Sequence, residues 1–152
     1  MAELIKNFKT IGNWIIDNNY KSDKILADLK LSGINFLIDK KYLTFKNVIY
    51  LFKTESQILY IGETSAGMQS RFQSYRYGFD KINDTDNRVK IALTRLLEKG
   101  ERIDILYCQP QTKYKFGGEE LCIPLSKPIE EYLISKLSPS LNEKNFYNSP
   151  HP

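Results

Sequence analysis

Apolar residues along the chain fall into short runs whose spacing changes from element to element. Leu4, Phe8, Ile11 and Ile15 recur at helical intervals, which predicts a helix over residues 3–19. Ser22, an N-capping residue with Asp23 beside it, opens a second expected helix that Gly33 stops. A short strand is expected over 34–38, so residues 1–46 read as a helical N-terminal extension. Residues 48–52 and 58–61 are rich in branched and aromatic side chains and read as two strands. The hydrophilic run from Lys53 to Gln57 joins them as a hairpin loop. Pairing Leu51 with Leu59 sets Tyr50 across from Tyr60, with Cβ atoms about 5 Å apart on one face.

The pattern then returns to helical spacing. Met68, Phe72, Tyr75 and Phe79 form the stripe of a helix over 68–77. Thr85 and Asp86 are expected to cap another helix, with Val89, Ala92, Leu93, Leu96 and Leu97 inward and Gly100 as its stop. Residues 102–109 read as a third strand, and 113–123, broken by Gly117 and Gly118, as a second hairpin. Ser126 is expected to cap the last helix, with Pro128 in its first turn and Pro139 after its end. Residues 143–152 read as a loose polar tail. The elements together predict one domain of mixed α/β (α+β) class, with a small, mostly antiparallel sheet flanked by helices.

Composition narrows the chemistry. With 41% hydrophobic and 26% charged residues among 152, the chain reads as one soluble globular domain. No run approaches the ~20 apolar residues of a membrane helix. Residues 1–4 carry no basic-then-apolar signal, so a cytoplasmic location is expected. Cys108 and Cys122 read as buried, reduced thiols. The single histidine, His151, lies next to the last residue, which removes His/Cys zinc sites and histidine-based hydrolysis. Catalysis would rest on Tyr, Arg, Lys, Asp and Glu. The net charge of +4 permits a polyanionic partner without requiring one.

Helical geometry singles out one carboxylate. At 100° per residue, Glu130 falls inside the apolar arc of Ile129, Leu133, Ile134 and Leu137, while Glu131 points to solvent. A carboxylate on a packed face is costly unless paired or metal-bound, and an edge ion pair with a neighbouring Lys or Arg is the plainer of those readings. Arg71 flanks the stripe of the 68–77 helix; its planar fork suits a phosphate, or it snorkels over its own helix. Tyr50 and Tyr60, two of ten tyrosines, are by themselves ordinary core aromatics. Gly62 ends its strand either as a terminator or to admit a close neighbour. The basic helix with Arg88, Lys90 and Arg95 is either a solvated face or a contact for a phosphate backbone.

The ordered set resembles the GIY-YIG nuclease superfamily. Val48-Ile49-Tyr50 stands for the first motif, with Val in place of its glycine, and Tyr60-Ile61-Gly62 for the second. Arg71 matches the arginine of the helix that follows. Glu130 matches the metal-binding glutamate, and Leu133, Ile134, Pro139 and Asn142 fit the pattern after it. The resemblance spans residues 47–142. It is also similar to a subset of that superfamily, small type II restriction endonucleases and a phage DNA-degrading endonuclease, with Lys90 where that subset has a helix lysine. Glu63 stands where many relatives carry Lys, and Tyr75 where some carry His.

The resemblance implies a metal-dependent endonuclease of double-stranded DNA, and its subset implies the type II restriction class, cleaving at a short specific sequence. Tyr50, Tyr60, Arg71 and Glu130 would be catalytic. Glu130 would hold Mg²⁺ or Mn²⁺, and Tyr50, with its pKa lowered by nearby cations, would take the proton from water. Arg76, Arg88, Lys90, Arg95 and Asn142 are the candidate DNA contacts. Cutting both strands predicts a homodimer or higher homo-oligomer. The competing readings are a nicking, repair or phage-type nuclease, a DNA-binding module without catalysis, and a structural protein whose motifs are all core.

Overall fold

A computed structural model of the chain describes residues 1–19, 28–77 and 84–142. Five antiparallel strands form the main sheet in the order β2-β1-β5-β3-β4: β1 (Lys9–Ile16), β2 (Ile34–Ile38), β3 (Val48–Lys53), β4 (Ile58–Thr64) and β5 (Asp104–Cys108). A separate two-stranded ribbon pairs β6 (Gln111–Phe116) with β7 (Glu119–Pro124). The helices are α1 (Lys40–Leu43), α2 (Met68–Tyr77), α3 (Asp84–Glu98) and α4 (Ser126–Leu137), with short 3-10 turns at Ala2–Ile5 and Ser140–Asn142.

The helix expected over 3–19 is instead a 3-10 turn followed by β1, and the N-terminal region supplies two strands of the sheet rather than a helical extension. The expected helical stripe is divided between the two faces of the sheet, Leu4 and Phe8 packing on the α4 side and Ile11 on the other. Strand β1 carries a bulge. Thr10 faces Leu106 and Gly12 faces Ile105, so Ile11 is an extra residue. Gly12 is required there, since a Cβ would lie 1.9 Å from the Leu37 carbonyl oxygen of β2. The strand expected over 34–38 is present as β2. Half of the helix expected over 22–33 lies outside the described residues, as do Phe79 and the tail, and residues 29–33 are turn and irregular backbone rather than helix.

Alternation along β3 divides the core between the two faces of the sheet. Val48, Tyr50 and Phe52 join Trp14, Met68, Phe72, Tyr75, Val89 and Leu93, beneath α2 and α3. Ile49 and Leu51 join Ile58, Ile61, Leu106 and Leu133, beneath α4. Gly100, with φ +84°, ends α3 as expected. Thr85 and Asp86 lie inside the first turn of α3, which begins at Asp84. Ser126 is likewise inside α4 and does not cap it: Leu125 is the N-cap, and the Ser126 hydroxyl donates instead to Glu63 Oε1 at 2.9 Å. Cys108 is half-buried, but Cys122 is exposed on the ribbon, so only one of the two thiols is sheltered.

Candidate functional site

The hairpin of β3 and β4 sets the first half of the site. Tyr50 faces Gly62, Leu51 faces Ile61 and Phe52 faces Tyr60, a shift of two residues from the expected pairing. Because side chains alternate with a period of two, such a shift preserves the face. Tyr50 and Tyr60 therefore still share one side, diagonally, with ring centroids 6.3 Å apart. The shift also explains the glycine. A Cβ at position 62 would lie 2.3 Å from both Cζ and the hydroxyl oxygen of Tyr50, so the ring lies directly over Gly62. Close approach fixes this residue; its φ is not positive.

Helix α2 supplies the second half. Its buried stripe of Met68, Phe72 and Tyr75 packs on the phenols, and the Tyr50 and Tyr75 hydroxyls are 2.8 Å apart. Arg71, one turn before Tyr75, stacks its guanidinium over the Tyr75 ring, 4.5 Å from the centroid. Its Nη1 donates to Asp86 Oδ1 at 2.8 Å, which ties α2 to the first turn of α3. The arginine side chain is 27% exposed. Burial works against the Arg71 charge, but the phenols of Tyr50 and Tyr75 and the Asp86 carboxylate hold its pKa above the ordinary value. Tyr75, set aside at the sequence level as a substitute for histidine, is thus central to the cluster, and Asp86 was read only as a cap.

Burial dominates the phenols. Tyr50 is fully enclosed, and this pushes its pKa well up; the Tyr60 phenol adds to the rise, while the Arg71 charge and the hydrogen bond to Tyr75 only oppose it. Tyr75 moves in the same direction for the same first reason. The expected lowering of the Tyr50 pKa by nearby cations is therefore corrected. The fully buried ring loses more by desolvation than one guanidinium returns, and Tyr50 is a protonated phenol at neutral pH.

Glu130 lies apart from this cluster. Helix α4 packs on the opposite face of the sheet through Ile129, Leu133, Ile134 and Leu137. Within it Glu130 is buried and Glu131 exposed, as helical geometry required. The Glu130 carboxylate accepts from Lys127 Nζ at 2.9 Å, an ion pair one turn back in the helix. That contact, first among several carboxylates nearby, raises the Lys127 pKa. Glu63, which holds Ser126, is one of those carboxylates. No hydrogen bond or ion pair joins Glu130 to Arg71 or to the phenols among the described residues. The two halves approach through the edge strand: Gly62 touches Tyr50 on one face, and Glu63, the next residue, touches the start of α4 on the other.

Four of the five basic or polar residues expected at DNA are engaged by the protein itself. Arg76 donates to the Ile34 carbonyl, the Tyr77 hydroxyl and Asp17 Oδ2, at 3.2, 2.8 and 2.9 Å, and so clamps α2 to β2. Arg88 donates to the Leu141 carbonyl at 2.7 Å. Asn142 accepts from Ile61 N at 2.8 Å and donates to Ile61 O at 2.7 Å, pairing with the free edge of β4 as a strand would. Lys90 is 1% exposed on the inward side of α3, where burial lowers its pKa to about 8. Arg95 remains exposed, on an open groove of about 440 Å³ that it lines with Asn87, Arg88, Ile91 and Ala92.

No protein-family model and no curated protein sequence matches the chain. Solved structures do, two nucleases among them. Restriction endonuclease HPY188I in complex with product DNA aligns over 98% of this chain and 84% of its own, with 20% identity and a TM-score of 0.50. A mutant of bacteriophage T4 EndoII aligns over 91% of this chain and 95% of its own, with 17% identity and a TM-score of 0.59. The chain shares its fold with these two GIY-YIG-type nucleases.

Proposed function

We propose that this chain, on the fold of the GIY-YIG nucleases, is a metal-dependent endonuclease that hydrolyses phosphodiester bonds in double-stranded DNA, with type II restriction as the finer reading. One observation carries it: Tyr50, Tyr75 and Arg71 form a contiguous phenol–guanidinium cluster, opened by Gly62, on the fold that two nucleases also use.

The donor set suits a hard divalent cation. Glu130 offers a sheltered carboxylate whose charge is at present balanced by the Lys127 ammonium, and Glu63 stands near it. Among the described residues no three His, Cys, Asp or Glu side chains converge, so Mg²⁺ or Mn²⁺ would rest on Glu130 with waters and phosphate oxygens completing the shell. When bound, the ion would supply Lewis-acid stabilisation of the leaving oxygen. The exposed part of Arg71 would meet the scissile phosphate and offset its growing charge, while Asp86 fixes the other nitrogen. Tyr60 would donate to a phosphate oxygen or to the attacking water. Tyr50, held by Tyr75, would orient that water as a phenol and accept its proton only as rising pH or added positive charge overcomes burial.

Similarity to a phage EndoII over almost its whole length favours a second reading, a nicking or phage-type nuclease, equally well. Supercoiled plasmid with Mg²⁺ separates them: discrete linear fragments support restriction, and an accumulating open circle supports nicking. Glu130→Ala should abolish cleavage and keep DNA binding. Cleavage at the wild-type rate by that variant would end the proposal.

A further inference from the structure

Most basic residues expected at DNA are engaged inside the fold, yet one corner of the surface is strongly positive. Lys40 and Lys41 of α1 and Lys46 beyond it are exposed, and Lys9 of β1 joins them. Lys9 Nζ lies 5.3 Å and Lys41 Nζ 5.0 Å from the centroid of the Tyr42 ring. Tyr42 is itself buried, with the Phe45 and Tyr107 rings 5.7 and 5.1 Å away, which fixes the platform under both ammoniums. The carboxylate of this segment is Asp39. Its Oδ1 accepts from Lys41 N, and its Oδ2 lies 3.9 Å from Lys41 Nζ. Four ammoniums against one carboxylate leave the corner positive, and an anion relieves their repulsion.

A groove begins at the same corner. It is open, holds about 690 Å³, and runs between Thr44 and Lys46 on one side and Gln69, Ser70, Gln73 and Ser74 of α2 on the other. At 100° per residue those four lie on the face of α2 turned away from its buried stripe of Met68, Phe72 and Tyr75. Arg71 falls on the flank between the two faces, which sets the groove alongside the candidate site.

We propose that this corner and groove carry the phosphate backbone of duplex DNA where it flanks the bond held at Arg71. The inference rests on the nuclease reading above and adds to it a docking face that meets phosphates and not bases. Charge selects a polyanion, and the lining of the groove selects a nucleic acid over an acidic protein. Among the described residues its apolar side chains are Leu43 and Ala66, neither of them the aromatic anchor that a protein interface uses. The hydroxyls and amides beside them are common partners of phosphate oxygens. Length agrees as well: the ten residues of α2 span about 15 Å, alongside about four phosphates of one strand.

Fluorescence anisotropy of the full chain on two labelled duplexes of unrelated sequence, without divalent metal, reads binding apart from cleavage. Lys41→Ala combined with Lys46→Ala should weaken both duplexes alike, by about 10-fold at about 0.1 M salt, and reduce the slope of log affinity against log salt by about 2. Ser70→Glu, which puts a negative charge into the groove, should weaken binding as well. Lys113→Ala combined with Lys115→Ala, on the ribbon of β6 and β7, should bind like the wild type. All these positions are exposed, so far-UV circular dichroism should stay unchanged; should the lysine pair misfold, Ser70→Glu still decides. Wild-type affinity and salt slope in the folded Lys41 and Lys46 variant would assign the corner to another partner and overturn the proposal. An equal loss in the ribbon variant overturns it too, as does a wild type without affinity for DNA. If the variants lose affinity but the wild type cuts no plasmid with Mg²⁺, the nuclease reading fails and the docking face stands. If the variants bind normally and the wild type cuts, the docking face fails and the nuclease reading stands.

Discussion

Gly62→Ala places a methyl group where the structure has no room for one. The added carbon would lie 2.3 Å from Cζ and the hydroxyl oxygen of Tyr50 and 2.7 Å from Cε2, against an ordinary carbon contact of about 3.5–4.0 Å. The ring must therefore withdraw by about 1 Å. It is held on its other sides by Phe72, with centroids 4.9 Å away, and by Phe52 at 5.5 Å, and it has no exposed surface. Overpacking of this kind costs about 1–3 kcal/mol. Movement also breaks the hydrogen bond between Tyr50 and Tyr75, about 1 kcal/mol more. Together these give a loss of about 2–4 kcal/mol, which at a urea m-value of about 1–3 kcal/mol/M lowers the midpoint by about 1–2 M. Cleavage of plasmid should fall with it, because the displaced phenol no longer meets Arg71. In a Tyr50→Ala background the same glycine change should be nearly neutral, and the difference between backgrounds measures the contact. A Gly62→Ala variant with the wild-type midpoint and wild-type cleavage would refute the reasoning.

Three further outcomes follow from the same geometry. Asn142→Ala removes two hydrogen bonds to the edge of β4 and should cost about 1–3 kcal/mol, with amide exchange at Ile61 accelerated; unchanged exchange there would show that the clamp is idle. Burial lowers the Lys90 pKa to about 8 from 10.5, so between those values the unfolded chain binds a proton that the folded chain lacks, and this group's contribution raises stability with pH. Thermal unfolding of the wild type should therefore show stability rising between about pH 8 and pH 10, and Lys90→Met should flatten that rise; an unchanged pH dependence in the variant would show that Lys90 is not its source. Because burial holds Tyr50 protonated, a cleavage rate that depends on its phenolate should climb steadily through about pH 9, and a plateau below about pH 8 would remove it as the base.

Much of the chemistry was legible before the fold. The stripe of α2 needed only helical spacing, and the choice of Glu130 over Glu131 needed only an angle of rotation. The face shared by Tyr50 and Tyr60 survived a wrong register because an even shift leaves parity intact. What failed had physical causes of its own. Leu4 and Phe8 packed on one face of the sheet and Ile11 on the other, so a helix's spacing was shared between two cores. Ser126 sits one residue too far inside its helix to cap it, and its hydroxyl found Glu63 instead. Charge on a helix says nothing about which way that charge faces. Lys90 turned inward, Arg76 and Arg88 found carbonyls and a carboxylate, and Asn142 found a strand edge. These are long-range partners that no local pattern announces. Asp86 was visible as a residue but not as the second anchor of Arg71, which depends on how two helices pack.

On the proposed reading, the edge strand would join two half-sites into one. Phenols and guanidinium lie on one face of the sheet and the carboxylate on the other, and a sheet's interior would keep them a full layer apart. At β4 no further strand intervenes. Successive residues there project to opposite faces, so Gly62 admits Tyr50 while Glu63 reaches Ser126 at the start of α4. Asn142 closes the hydrogen-bonding edge at Ile61, and on the proposed reading a phosphate would meet both chemistries along the stretch from Gly62 onward. Lys127 fits this arrangement. Its ammonium neutralises Glu130 now, and its side chain, 65% exposed on a flexible stem, can leave when a stronger cation arrives. An arriving divalent cation and the Lys127 ammonium would then compete for one carboxylate.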